Sequence, residues 1–254
     1  GGRGAAGRDD ELPVVAARAL ARRIAREMTV RPLAARPTGR SPGGAWHAVP
    51  SRGEPGEIDI EATVEAWIAS AAGGPPEVVI RQQRARRRAV VLAADVSGSS
   101  RGPRLLSIGA SVGALTASLR DEAVGVLAFW SDAATICELG EQAGPDAIID
   151  RLARIPARGL TNVAFPLEIA AGMLAPRDER EDRRVLLLSD CVHNAGPDPR
   201  PIAARLPRVD VLLDVSGECD RELAQELARE GRGLCLPVRT PRDIPRALSR
   251  IFGD

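Results

Sequence analysis

The sequence has no tyrosine, and every one of its 35 basic residues is arginine. Its aromatic residues amount to three tryptophans and three phenylalanines in 254 positions, so the core must be filled by Val, Leu, Ile and Ala. With the abundance of Ala, Gly and Pro, these absences read as GC-rich codon bias before they read as function. Neither sign of charge is in excess: 35 basic against 34 acidic residues leave a formal charge of +1. No overall field therefore gathers nucleic acid or an anionic membrane, and any such binding needs a local patch. Cys137, Cys191, Cys219 and Cys235 lie far apart without a CxxC spacing, which fits the reduced thiols of a cytoplasmic protein better than a disulfide framework or a zinc site. No apolar run approaches the roughly 20 residues of a membrane span. The chain begins with Gly and not Met, so an upstream targeting segment is left open. What is present, 44% apolar residues over 254 positions, suffices for one large buried core with an appended segment.

Two parts are expected. Residues 1–76 read as a helical and irregular N-terminal segment. Within them LPVVAARALARRIAREM (12–28) has the pattern of an amphipathic helix with Val15, Ala19, Ile24 and Met28 near one side. Residues 31–56, with five prolines and five glycines, read as a linker without regular structure. IDIEATVEAWIAS (58–70) predicts a second helix with Ile60, Val64, Trp67 and Ile68 on one face. Residues 77–254 read as a second domain. After a short strand at 77–80, strands are predicted at 89–94, 123–130, 184–189, 209–215 and 233–238. They alternate with helices at about 104–119, 145–154, 166–174, 198–205, 220–230 and 241–252. Apolar strands alternating with amphipathic helices mean an α/β doubly wound, mainly parallel sheet with helices on both faces. Ligands of such sheets bind beyond the carboxyl ends of the strands, where the strand order switches.

The first strand of that series ends there in an unusual way. In AVVLAADVSGSS (89–100), six apolar residues stop at Asp95, and hydroxyls follow at every second position, Ser97 and Ser99. In a turning backbone the side chains at i, i+2 and i+4 can converge on one point, with Gly98 as the permissive element. Hard divalent cations take oxygen ligands, and Mg²⁺ takes few carboxylates and keeps several waters, so one carboxylate and two hydroxyls make half a site. Asp, Ser and Gly are also what any strand-to-helix turn uses. Two further loops supply the other half: RGLTN (158–162) offers Thr161, and RVLLLS runs straight into Asp190.

DxSxS, then Thr, then Asp on three successive loops resembles the von Willebrand factor A domain and its metal-ion-dependent adhesion site, over about residues 89–254. The resemblance implies that fold, a bound Mg²⁺ or Mn²⁺, hydroxyl ligands at Ser97, Ser99 and Thr161, and Asp95 and Asp190 acting largely through coordinated water. The family has an apolar residue after the last Ser and Gly after the final Asp, where this chain has Ser100 and Cys191. The run-in IDIEATVEAWIASAAGGPPEVVIRQQRARRR resembles that of bacterial CoxE-like, MoxR-associated A-domain proteins, in which a helix, a glycine-rich bend and an arginine-rich strand precede the domain. Those proteins are similar to the D subunits of magnesium and cobalt chelatases in working beside a MoxR-type AAA+ ATPase. The chain has no GxxxxGK[ST] phosphate loop, so the resemblance implies an ATPase on a separate polypeptide.

Rival readings remain. Asp190, Cys191 and His193 fall within four residues, and a thiolate beside an imidazole makes a nucleophile, which would give a thiol-dependent hydrolase. Residues this close in sequence seldom meet in that geometry, and a loop or capping role suits His193 better; the other histidine, His47, lies in the linker. A chelatase-type subunit for metal insertion is a further alternative. Asp214-Val215-Ser216-Gly217 repeats the DVSG of the first site, with Glu218 where the second serine would be, and reads as an ordinary turn. The basic run Arg81–Arg88 has no interleaved aromatics for base stacking and reads as a solvated strand approach. The expectation is a cytoplasmic, non-enzymatic, Mg²⁺-dependent protein-interaction module. Its metal would take an acidic residue from a protein partner, and it would serve as an adaptor for an AAA+ ATPase acting on a client, with neither membrane nor nucleic acid as partner.

Overall fold

Residues 14–24, 46–51, 57–69, 78–83, 87–97, 101–119, 122–155 and 159–252 are described by the computed structural model. In chain order they form α1 (14–24), β1 (Trp46–Pro50), β2 (Glu57–Ile58), α2 (Ile60–Ala69), β3 (Val79–Gln83), β4 (Arg88–Asp95), α3 (Arg101–Ser118), β5 (Ala123–Phe129), β6 (Ala133–Cys137), α4 (Pro145–Ala153), α5 (Ala164–Leu174), β7 (Asp182–Ser189), α6 (Arg200–Arg205), β8 (Val209–Asp214), α7 (Arg221–Glu230), β9 (Arg232–Val238) and α8 (Ile244–Phe252). Two compact units result, residues 34–86 and residues 1–33 with 87–254.

In the larger unit the strand order is β6-β5-β4-β7-β8-β9. All pairs are parallel except β5 with β6 at the edge, which reverses through a tight hairpin closed by Trp130 N–H donating to the Asp132 carbonyl (2.7 Å). β6 is the one strand of this sheet that the sequence pattern does not announce. From β4 the chain steps to β5 on one side and returns to β7 on the other, so the loops leaving β4 and its neighbours diverge at the carboxyl end of β4. That is the switch point, and Asp95 is the last residue of β4.

The apolar run of β4 is continuous because both faces of the strand are buried. Val90, Leu92 and Ala94 pack with Ile108, Val112 and Leu115 of α3, Ile148 and Leu152 of α4, and Leu248 and Ile251 of α8. Ala89, Val91 and Ala93 face the other way, into Leu167 and Leu174 of α5, Ile202 of α6 and Leu223 and Leu227 of α7. α1 belongs to this unit, yet its buried face is Ala17, Ala21 and Ile24, while Val15, expected inside, is 59% exposed. The reason is the partner surface. Gly109 and Gly113 of α3 bring the two backbones so close that a Cβ at either would meet the Ala17 or Ala21 carbonyl, and only small residues fit the crossing. Arg22 pairs with Asp146 (2.6 Å) and Arg18 with Asp150, both on α4, at the rim of that crossing.

The smaller unit contains a three-stranded antiparallel sheet, β1-β3-β2, with α2 alongside. β1 lies inside the stretch read from sequence as an irregular linker. It is ordered by its pairing with β3, from Trp46 opposite Gln83 to Pro50 opposite Val79. β3 therefore groups with residues N-terminal to it, and α1 with the larger unit, so the contacts draw the division elsewhere than at 76/77. The basic run is used structurally at both ends. Arg81 pairs with Asp59 (2.7 Å). Arg88 pairs with Asp182 (3.8 Å) and stacks over the Phe252 ring. The Ala62 N–H and the Arg81 guanidinium hold the Asp59 carboxyl below the usual carboxylate range.

Candidate metal centre

Asp95, Ser97 and Thr161 are all buried at the carboxyl edge of the larger unit's sheet. The Val96 N–H continues the β4–β5 ladder by donating to Phe129 O (2.9 Å), and the chain then turns. In that turn the Ser97 N–H donates to Asp95 Oδ1 (2.9 Å). The turn aims the Ser97 hydroxyl at the loop between α4 and α5, where Ser97 Oγ and Thr161 Oγ1 lie 2.7 Å apart. Two side chains 64 residues apart thus present their oxygens to one point. Asp190 follows directly on β7, the strand beside β4, is half-buried, and accepts from the Val192 N–H (3.1 Å). Ser99, the remaining expected ligand, lies outside the described residues, as do Gly98 and Ser100.

Side chains that the sequence does not single out hold this arrangement. The Ser189 hydroxyl, also buried, donates to Asp95 Oδ2 (2.7 Å) and accepts from the Cys191 N–H (2.9 Å), so it ties the first ligand loop to the third. Asn194 ties the third loop to the second: its Oδ1 accepts from the Thr161 N–H (2.7 Å), and its own N–H donates to Thr161 O (3.1 Å). His193 adds a second tie, Nδ1 accepting from the Val163 N–H (3.2 Å), which fixes the loop role expected for it. At Gly196 (φ 84°) an added Cβ would overlap the Asn162 side chain, so the two loops could not lie this close with any other residue. Sequence offered a weak signal for these positions. Ser189 reads as the end of an apolar strand and Asn194 as a turn former, and their function depends on neighbours distant in the chain.

Cys191 has φ 59°, in the left-handed region that favours glycine, the residue the resemblance leads one to expect at this position. Its thiol is wholly buried. Burial, with Cys235, Asp190 and Asp95 nearby, pushes the thiol pKa up, so the nucleophilic thiolate is suppressed. With His193 Nδ1 engaged by Val163, Cys191 and His193 do not make a nucleophile–base pair in this arrangement.

The donor set fits a hard cation. Among the described residues no three His, Cys, Asp or Glu side chains cluster as metal ligands, so an ion at this edge would be held by hydroxyls beside one or two carboxylates. Adjacent ligands of an octahedral ion with bonds near 2.1 Å stand about 3 Å apart. The separation of Ser97 Oγ and Thr161 Oγ1 is close to that without rearrangement.

Residues 90–193 match the family model described as the von Willebrand factor type A domain. No curated protein matches the chain. Among solved structures, proximal thread matrix protein 1 from the mussel byssus is similar at a TM-score of 0.55 and 14% identity, over 65% of this chain and 47% of that one. The same protein has also been solved with a zinc-occupied MIDAS motif (TM-score 0.54, 14% identity, 65% of this chain and 47% of that one). A von Willebrand factor type A protein from Catenulispora acidiphila matches at 0.53 and 15% identity, over 68% of this chain and 43% of that one. An aerotolerance-related membrane protein from Bacteroides fragilis matches at 0.50 and 19%, over 65% of this chain and 98% of that one. The chain spans less than half the length of the mussel and Catenulispora proteins, and at these identities the likeness is one of fold. The six-stranded, mainly parallel sheet with helices on both faces has the von Willebrand factor type A fold, and residues 90–193 within it match that family's model.

Proposed function

We propose that the chain is a divalent-cation-dependent protein-interaction module in which Asp95, Ser97, Ser99, Thr161 and Asp190 hold Mg²⁺ or Mn²⁺. The observation that carries this reading is the convergence of Ser97 Oγ and Thr161 Oγ1, 2.7 Å apart and both buried, beside the Asp95 carboxylate. Oxygen donors alone favour a hard ion over zinc, and a bound ion there would supply a Lewis-acidic position for an acidic side chain of the partner. The chain's own residues orient that position. Ser189 fixes the Asp95 carboxylate, Asn194 fixes the Thr161 backbone, and exposed Leu160 beside Thr161 gives the partner an apolar rim. Binding suits this edge better than catalysis, because the Cys191 thiol is kept protonated and His193 Nδ1 is engaged by the backbone.

The finer reading is an adaptor that works in the cytoplasm beside a MoxR-type AAA+ ATPase on a client protein. It is supported by the helix, glycine-rich bend and arginine-rich run before the domain and by the lack of a phosphate loop in the sequence. Among the described residues no helix is long and apolar enough to cross a membrane.

Thr161→Ala tests the reading, since it removes a hydroxyl ligand without changing charge. The metal-free protein should lose about 1 kcal/mol with the hydroxyl contact and remain folded. In pull-downs from the native host, the acidic partner should be retained with Mg²⁺ and released both by chelator and by Thr161→Ala. A partner retained equally in all three conditions would overturn the metal-bridged reading.

A further inference from the structure

α2 is built the wrong way round for a helix whose task is to cover its own sheet. The residues it turns toward β3 are small or polar: Ala62, Thr63 and Ala66 are partly buried, and no residue of the helix is fully so. Thr63 Oγ1 accepts from the Val79 N–H (2.9 Å) and donates to Asp59 O (2.6 Å), and Asp59 caps the helix by accepting from the Ala62 N–H (3.1 Å). The helix is therefore fastened by polar contacts at its start. Its large apolar side chains point away: Ile60 is 74% exposed, Val64 44%, Trp67 60% and Ile68 75%. These positions, i, i+4, i+7 and i+8, form one stripe, the pattern by which one helix anchors in the groove of another. The sequence places these four residues on one face, and among the described residues nothing covers that face.

We propose that this stripe is a docking surface for an amphipathic helix of a separate protein whose apolar seam is flanked by Arg or Lys. The sign follows from the only charged residues of α2, Glu61 and Glu65, which are exposed one position after Ile60 and Val64 and so line one flank of the stripe; Glu57, exposed just before the helix, adds a third carboxylate, and Arg81, the cation that Glu57 and Glu61 attract, is already paired with Asp59, so the flank stays net negative. A second copy of the chain would bring like charge against like, and an anionic lipid surface would be repelled in the same way. Trp67 is the natural anchor, since a large rigid ring at the centre of an apolar contact carries a disproportionate share of binding energy. The demand is opposite in sign to that of the metal centre, which asks its partner for a carboxylate, so the two surfaces select different chemistry.

The test is a phage-displayed library of helical peptides, selected on the full chain and counter-selected on the Trp67→Ser/Ile68→Ser double variant. Both substitutions lie on the exposed face and should leave the circular dichroism spectrum unchanged. Enriched peptides should carry apolar residues at i, i+3 or i+4 and i+7 with flanking Arg or Lys. By fluorescence anisotropy, a synthetic member should bind the double variant about tenfold or more weakly, and lose a similar factor on Glu61→Arg/Glu65→Arg. Chelator should not change its affinity, which separates this surface from the metal centre. The proposal is overturned if no peptide distinguishes wild type from the double variant, if acidic or extended peptides are enriched, or if charge reversal strengthens or leaves binding unchanged. It is equally overturned if sedimentation shows self-association that Trp67→Ser abolishes, or if phosphatidylserine vesicles bind through this face.

Discussion

The chain writes the same four residues, Asp-Val-Ser-Gly, at the ends of two strands of one sheet, after β4 (Asp95–Gly98) and after β8 (Asp214–Gly217). Locally the two turns are alike. In each, the serine N–H donates to the aspartate Oδ1 at 2.9 Å, and the valine N–H donates to a carbonyl of the neighbouring strand, Phe129 or Val238, also at 2.9 Å. Their surroundings differ. Asp95 and Ser97 are buried, and side chains from two other loops reach them, Ser189 at the carboxylate and Thr161 at the hydroxyl. Asp214 is half-buried, Ser216 and Glu218 are exposed, and Glu218 stands in the sequence where Ser99 stands in the first repeat. Local sequence thus sets the turn, and place in the sheet decides whether the turn becomes a site. β4 stands where the strand order switches, and loops of β4, β7 and the α4–α5 connection converge on it. β8 stands inside the run β4-β7-β8-β9, where successive strands advance in one direction.

Substitutions can separate the two turns. The largest effect is expected from the paired aspartates. Asp95→Ala should lower Mn²⁺ affinity by about 100-fold or more, because it removes the carboxylate that organises the first turn. Asp214→Ala should lower it by less than about threefold, since Asp214 lines the small cavity beside Asp95 and Asp190 but receives no hydroxyl from another loop. Isothermal titration of both variants reads the contrast, and equal losses would mean that both carboxylates serve the ion. Next is Asn194→Ala, which touches no ligand oxygen yet frees the Thr161 backbone. By the scale of outer-shell substitutions it should weaken metal binding about tenfold. The smallest effect is expected from Glu218→Ser, which completes the second DxSxS. Stability should stay within about 0.5 kcal/mol, and no second ion should bind, because among the described residues no side chain of another loop hydrogen-bonds to Asp214 or Ser216. A titration stoichiometry of two would show that local sequence is enough.

Much of the fold is legible in the sequence. Strands buried on both faces announce themselves as unbroken apolar runs, as in Ala89–Ala94, and the covering helices by their periodicity. Elements that depend on a distant partner do not. β1 is ordered by pairing with β3 across about 30 residues, and β6 is a short edge strand defined by its hairpin. The buried face of α1 cannot be chosen from its own pattern, since the selection of Ala17 and Ala21 over Val15 is made by Gly109 and Gly113 of α3. The site divides in the same way. Asp95, Ser97, Thr161 and Asp190 stand out because ligand-type residues recur at successive loop positions. Ser189 and Asn194 carry no such mark, because what they do is hold one loop against another.

The most direct test of the metal centre is an anomalous difference map from crystals of the full chain grown with Mn²⁺. A single strong peak is expected between Ser97 Oγ and Thr161 Oγ1, about 2.1 Å from each, with none at Asp214. A map without a peak at that position, or with the ion at Asp214, would contradict the account.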